Sequence, residues 1–432
     1  MTYAEAIQFL YSLRWFGAKF GLENTLKLAA LAGNPQNQLR FIHVAGTNGK
    51  GSTCAMLESI YRAAGLRVGL FTSPHLVSFR ERIQVNRRLI GEDDVVRIVG
   101  EMQPWLATFP AEHHPTFFEV VTVMALRYFA EQKCDLVIWE TGLGGRLDAT
   151  NIVTPLASVI TSIALDHQQW LGNTLEKITM EKAGIIKPGV PVLTATQQPE
   201  ALRVIEGVAR ERRAPLTLMD AADAYRINHR TSLPGEHQRT NAALAVATVQ
   251  TLQGQIPTNE EVIHRGLETI HWPGRLQLVT RPTGQRILLD GAHNVAGAEV
   301  LRDALRSKAA GYDTSVTLVL GILADKNCQE MCGVLAPLAA RMFLVPVGSE
   351  RSAKPQELAA FCRAANPKVD VTVCESLSQA IAQSERDPFV VIAGSLYLIG
   401  EAMELLGLSP VPSADEKALN NWQPTSQSGK TF

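Results

Sequence analysis

A chain of 432 residues exceeds one ordinary hydrophobic core, so two domains are expected. Hydrophobic residues make up 46%, which excludes extended disorder, and no uncharged apolar run reaches the length of a membrane span. The formal net charge of −1 argues against a dedicated nucleic-acid binder.

The first residues, MTYAEAIQFLYSLRWFG, have amphipathic helical spacing and no small-residue cleavage site, so they are read as a helix of a cytoplasmic protein and not as a signal peptide. Strand candidates follow at 39–46, 66–73, 134–141, 156–164 and 190–195. Helical patterns follow Gly49, precede Cys134 and cover 240–253. Short apolar runs alternating with helices imply βαβ units and a mainly parallel sheet. At 280–286 the chain turns polar and turn-rich, and a boundary is expected there. The rhythm then restarts, from ILLDGAHN to FVVIAGSL. The expected fold is α/β: a P-loop-containing, mainly parallel sheet domain over 1–280, then a smaller Rossmann-like α/β domain over 285–412. Residues 413–432 lack apolar periodicity and are expected to form a loose tail. The six cysteines form no CxxC pair. Cys328 and Cys332, at i,i+4 spacing, are read as buried reduced thiols.

The stretch FIHVAGTNGKGST, Phe41 to Thr53, carries the chemistry. A strand, a glycine-rich loop and a helix start are the context of a phosphate site. Glycines let backbone N–H groups converge on phosphate oxygens, and the helix start adds its dipole. The usual pattern places a hydroxyl directly after the lysine. Here Gly51 follows Lys50, and Ser52 and Thr53 come after it. Ser52 still lies within reach of a Mg²⁺ on bound phosphates. A plain glycine turn would leave Lys50 without a reason to follow the loop.

Other polar residues fall at strand ends, where open parallel sheets bind ligands. Ser73 closes the second strand. Glu140 closes the third and precedes three glycines, which suits a carboxylate that holds Mg²⁺ directly or through water. Asp166 and His167 follow the fourth. LEKITMEKAGIIKPG, 175–189, is a helix ending at Gly184 that carries Lys177 and Lys182. It is either a solvated basic face or, if burial lowers a lysine pKa, part of the site.

GTNGKGST, TSPHL, ERIQVN, TFFEVVT, ETGLGGRLDATN, SIALDH, EKAGIIK, WPGR and DGAHN occur in this order over about residues 20–400. Together they resemble the folylpolyglutamate synthase and dihydrofolate synthase family, ATP-dependent amide-forming ligases of the Mur ligase superfamily. The resemblance implies that the extra glycine is a mark of this class. It implies ATP contacts from Thr47, Asn48, Gly49, Lys50, Gly51, Ser52, Asn241, Arg275 and Asp290. It places Ser52, Ser73, Glu140 and His167 on a pair of Mg²⁺ ions. Lys50, His167 and Lys182 are implied as catalytic, Lys182 being the lysine that CO₂ carboxylates in this family. Leu22, Phe118, Glu119, Leu147, Asp148 and Ala149 match positions near the folate.

The implied reaction adds L-glutamate to folates, and to dihydropteroate, through an acyl phosphate, releasing ADP and phosphate. The implied partners are ATP, L-glutamate and folate or dihydropteroate, with no nucleic acid, no membrane and a monomeric enzyme. Two departures stand out: Val295 replaces the proline of DGAHNP, and Asn24 replaces an arginine common after GLE. Two rivals are a Mur-type amino-acid ligase and a regulatory P-loop NTPase. The latter needs a guanine-reading N-K-x-D motif, of which ADKN (324–327) is only a scrambled echo.

Overall fold

The computed structural model describes residues 1–16, 21–219, 230–307, 316–409, 411 and 416. Two sheets organise them. The first has eight strands in the order β4-β3-β2-β5-β1-β6-β7-β8. These are β1 (Phe41–Ala45), β2 (Val68–Phe71), β3 (Ile83–Val85), β4 (Arg88–Leu89), β5 (Leu136–Glu140), β6 (Ala157–Ile160), β7 (Val192–Thr194) and β8 (Leu216–Leu218). All neighbours are parallel except the β2–β3 and β3–β4 pairs. Asn86 and Arg87 turn the β3–β4 hairpin with φ of 49° and 65°, the left-handed conformation a tight hairpin loop demands.

The second sheet has six strands in the order β13-β12-β11-β14-β10-β9. They are β9 (Gln277–Thr280), β10 (Arg286–Leu289), β11 (Val316–Leu320), β12 (Ala339–Leu344), β13 (Asp370–Val373) and β14 (Phe389–Ala393). Only β9 runs antiparallel. The polar turn at 280–286 is thus a hairpin connection inside the second sheet, and β9 belongs to that sheet although it precedes the turn. Polar turn residues mark a change of direction, and they do so equally between domains and between paired strands.

β1 and β5 are buried along their whole length, as parallel strands covered on both faces must be. One face packs on helices α1 (Lys50–Ala63) and α4 (Glu236–Thr251). The other packs on α2 (Phe117–Glu131), where the fully buried Trp139 stacks on Phe71 at 4.5 Å between ring centroids. The two sheets are not independent bodies. Val77, just past the TSPHL turn, lies in the core of the second unit with Leu289, Leu398 and Ile399, and Leu76 packs against that core. A Cβ on Gly400 would meet the Leu76 carbonyl oxygen at 2.0 Å.

Most of the expected tail lies outside the described residues. Glu416 is described and buried. Its carboxylate accepts from Tyr3 Oη, Ser78 Oγ and the Phe79 N–H. No described helix is long and apolar enough to cross a membrane. The six cysteines are free thiols, five of them buried.

Candidate active site

The phosphate loop explains its own glycines. Gly46 leaves β1 with φ 152°, and a Cβ there would sit 1.8 Å from Thr161 Oγ1. Gly49 has φ 87°, and its Cβ would meet Asn241 Oδ1 at 2.5 Å. Gly51 is the departure from the common pattern. Its Cβ would lie 3.0 Å from Trp272 Cζ2 and 3.2 Å from Nε1. Trp272 is held in turn by the Arg87 guanidinium, 5.3 Å from the ring centroid. The indole therefore occupies the space that a serine would need.

Gly49 caps α1 without a side-chain hydrogen bond, so the first helical N–H groups are left for an anion. Lys50 Nζ folds back over the loop and donates to the carbonyls of Gly46 (3.2 Å) and Thr47 (3.3 Å). Gly51→Ser, which places a hydroxyl directly after the lysine as the common motif does, is expected to lower kcat/KM for ATP about 10- to 100-fold, the cost of overpacking a filled site. Combining it with Trp272→Ala should recover part of the loss. Steady-state kinetics of the single and double variants check this, and full activity of Gly51→Ser alone contradicts it.

Strand ends bring the remaining groups to the same edge. Glu140 ends β5, fully enclosed, and accepts the Ser73 N–H at 3.1 Å. Burial pushes its carboxyl up to about 7 against the opposing pull of Lys50 and the Ser73 N–H. His167, beyond β6, takes the left-handed backbone conformation (φ 49°), and its N–H donates to Asp166 Oδ1 at 2.8 Å. Burial lowers its imidazole to about 3, so it is neutral near pH 7.

Lys182 lies in the last turn of α3 (Leu175–Ala183). It is 5% exposed and donates to the Gly46 carbonyl at 2.7 Å. Burial first, then the like charge of Lys50, lowers its amine to about 7. Of the two readings of this helix, the face bearing Lys182 turns inward.

The opposite wall comes from the second unit and its approach. Asp290, following β10, accepts the N–H groups of Leu276 (2.8 Å) and Ala292 (2.9 Å). Arg275 is partly buried; burial lowers its pKa, opposed by Asp290 and Glu140. From α4, Asn241 donates to Gln238 Oε1 (3.0 Å) and Gln238 donates to Ser52 Oγ (3.3 Å). Asn294 caps helix α5 (Val295–Arg306) by accepting the Gly297 N–H at 2.8 Å, so the cap does not depend on a proline at position 295.

Thr47, Asn48, Gly49, Lys50, Gly51, Ser52, Ser73, Glu140, His167, Lys182, Asn241, Arg275 and Asp290 therefore line one cleft between the two sheets. Sequence reasoning passed over other lining residues, among them the polar His237, Gln238 and His293. Gln238 stands one helical turn before Asn241, and His293 sits inside DGAHN. Both positions were legible as same-face or same-loop neighbours.

The folate-side residues are dispersed. Glu119 and the residues flanking Leu22 (Gly21, Glu23 and Asn24), with Lys27, line a separate hollow of ≈ 470 Å³, a size that admits a small molecule. Asn24 therefore lies where the arginine is missing, and Lys27 supplies a cation beside it. Phe118 packs elsewhere: a Cβ on Gly142 would meet its ring at 2.5 Å. Asp148 braces the glycine-rich turn, accepting from the Leu143 N–H (2.7 Å), the Thr150 N–H (3.1 Å) and Thr150 Oγ1. Leu147 is half-buried and Ala149 buried beside it.

The donor set can be tested against Mg²⁺. Among the described residues no three His, Cys, Asp or Glu side chains cluster as a metal cage. Mg²⁺ commonly takes one or two carboxylates plus substrate phosphates and waters. Glu140, a buried carboxylate within no ion pair among the described residues, and the Ser52 and Ser73 hydroxyls fit that set. The imidazole of His167 is a softer donor and fits it less well.

The chain matches the family Mur ligase middle domain over residues 44–195 and the family dihydrofolate synthetase, C-terminal domain, over 276–405. It is 37% identical to a dihydrofolate synthase/folylpolyglutamate synthase of Bacillus subtilis, over 94% of this chain and 99% of that protein. Its fold is similar to that of a Mycobacterium tuberculosis folylpolyglutamate synthase solved with ADP and AMPPCP. There the TM-score is 0.82 at 29% identity, covering 90% of this chain and 96% of the other. It is also similar to an E. coli protein solved in complex with DHPP and ADP, with TM-score 0.81, 30% identity and coverage of 94% and 98%.

Proposed function

The chain belongs to the dihydrofolate synthase/folylpolyglutamate synthase family of ATP-dependent carboxylate–amine ligases, and we propose that its cleft joins L-glutamate to folates and to dihydropteroate through an acyl phosphate. The observation that carries this reading is the cleft itself. A phosphate loop with Lys50 faces Arg275 and Asp290 from the other side, and a buried carboxylate, Glu140, lies between them.

Amide formation needs an activated acyl group. A substrate carboxylate oxygen attacks the γ-phosphorus of ATP, and ADP leaves. The glutamate nitrogen then attacks the acyl carbon, loses a proton, and phosphate departs. The α1 N-terminus and the loop N–H groups hold the phosphates. Lys50, released from the carbonyls of Gly46 and Thr47, neutralises charge on the transferred phosphoryl group. Glu140, Ser73 and Ser52 are the residues that would hold Mg²⁺, which would supply further charge neutralisation there. A carbamate on Lys182 would turn a buried cation beside Lys50 into an anion. His167 and Asp166 shape the floor of the cleft. The hollow at Glu119 and Lys27 is proposed to take the pterin-bearing part. One chain supplies both walls, so a monomer suffices.

The test is phosphate release with ATP, Mg²⁺ and glutamate, run with dihydropteroate, with tetrahydrofolate and with neither. Release with both pterins is expected. Release with tetrahydrofolate alone restricts the enzyme to glutamate-chain extension and points to Asn24 in the hollow. No stimulation by either overturns the substrate assignment.

A further inference from the structure

One buried ion pair crosses the cleft and has no part in the roles above. Lys326 lies in the turn after β11, in the second unit. Its Nζ stands 2.6 Å from Oδ1 of Asp166, in the turn after β6 of the first. Their side chains are 6% and 7% exposed. Burial opposes the Asp166 charge, but His167, Lys326 and His293 together hold the carboxyl well below the usual range.

The rest of Asp166 is tied across the same gap. Oδ2 accepts from Asn294 Nδ2 at 2.9 Å, with His167 Nε2 and His293 Nε2 each at 3.9 Å. Asn294 exchanges two 3.0 Å hydrogen bonds with Asn48 of the phosphate loop. Lys326 is itself presented by a fixed turn. Its N–H bonds the Leu323 carbonyl, Ala324 N–H bonds Arg351 O, and Arg351 pairs with Asp325 at 3.3 Å. Lys326 does not line the cleft, so it acts through Asp166 and not on the substrate.

With this network made, the cleft encloses a cavity of ≈ 190 Å³, below the roughly 300–1,000 Å³ of small-molecule sites. A nucleoside triphosphate is larger than that space, so it is taken up either through the cleft's open mouth or with a parting of the walls that then close around it. We propose that Lys326 is a positioning residue, the clasp that holds the Asp166–His167 turn and the phosphate loop against the second unit in the closed state, and that coupling of ATP cleavage to amide formation depends on it. The inference rests on the ligase reading above. A buried charge that loses its partner disfavours the arrangement that buries it, so without Lys326 closure weakens and water reaches the acyl phosphate.

The test compares wild type, Lys326→Met, Lys326→Gln and Lys326→Arg by two readouts. One is phosphate released per glutamate incorporated. The other is small-angle X-ray scattering without ligand and with AMPPCP. Wild type should release one phosphate per amide bond. Lys326→Met should raise that ratio several-fold and show a larger radius of gyration, with Lys326→Arg restoring both. If Lys326→Met fails to fold, Lys326→Gln decides by the same two readouts. A one-to-one ratio with wild-type scattering in the variant that folds overturns the clasp. Failure of the ligase reading looks different: wild type itself would form no amide product, while scattering would still report on the ion pair.

Discussion

Lys182→Met is expected to lower kcat for glutamate ligation by about 10²- to 10³-fold, the usual loss when one preorganised charge is removed from an active site. The argument begins with burial. Lys182 Nζ has the Gly46 carbonyl as its hydrogen-bond partner, and enclosure with the nearby Lys50 brings its amine to about 7. An ordinary lysine, at about 10.4, is almost wholly protonated at neutral pH and does not react with CO₂. At pH 8 most of Lys182 is neutral and carries the lone pair that carbamate formation requires. The sign follows. With dissolved CO₂ held constant, carbamate occupancy and activity should rise as pH passes upward through about 7, and CO₂-free buffer should depress them. Lys182→Met should lack the CO₂ response.

Stability in CO₂-free buffer has a matching sign. The folded amine loses its proton before the unfolded one, so this group's contribution to stability is poorest below about pH 7. It improves as pH rises toward the unfolded value of about 10.4. Activity profiles at fixed CO₂, with intact-mass detection of the carbamate, check the prediction. A wild-type enzyme indifferent to CO₂ removes the carbamate from the mechanism.

Lys50→Met should cost about 10³-fold in kcat with a much smaller change in ADP affinity. The split has a structural cause. On the proposed reading the β-phosphate would be held by backbone N–H groups of the loop and the start of α1, which this substitution leaves in place. The lysine charge matters most where the γ-phosphoryl group moves. Lys50→Arg should rescue poorly, since a planar fork does not fit the pocket formed by the Gly46 and Thr47 carbonyls. Single-turnover phosphoryl transfer and calorimetric ADP binding separate the two effects. Near-normal transfer with lost ADP binding would make Lys50 a binding residue alone.

Much of this cleft is legible in the sequence alone. The strands β1, β2, β5, β6 and β7 fall inside apolar runs found from sequence, each shortened at its ends. Fully buried parallel strands leave such uninterrupted runs. The β3–β4 hairpin, β8 and β9 were not foreseen, because these short strands are only partly buried and leave no continuous apolar run. The polar turn at 280–286 marked a change of direction but not its kind.

Residues 41–53 specify a phosphate loop on their own, since the chemistry resides in local backbone: a strand, glycines free to adopt φ of 152° and 87°, and a helix start with open N–H groups. Strand-end positions likewise sufficed to mark Ser73, Glu140 and His167, because a parallel sheet delivers all its carboxyl ends to one edge. What only the folded chain decided depends on partners distant in sequence. Trp272 gives Gly51 its reason, and Lys326 reaches Asp166. Asp148 spends its carboxylate bracing a turn. The Lys182 amine falls to about 7 because enclosure strips its water. Desolvation and long-range contact are properties of the assembled volume, and neither leaves a period or a motif in the chain.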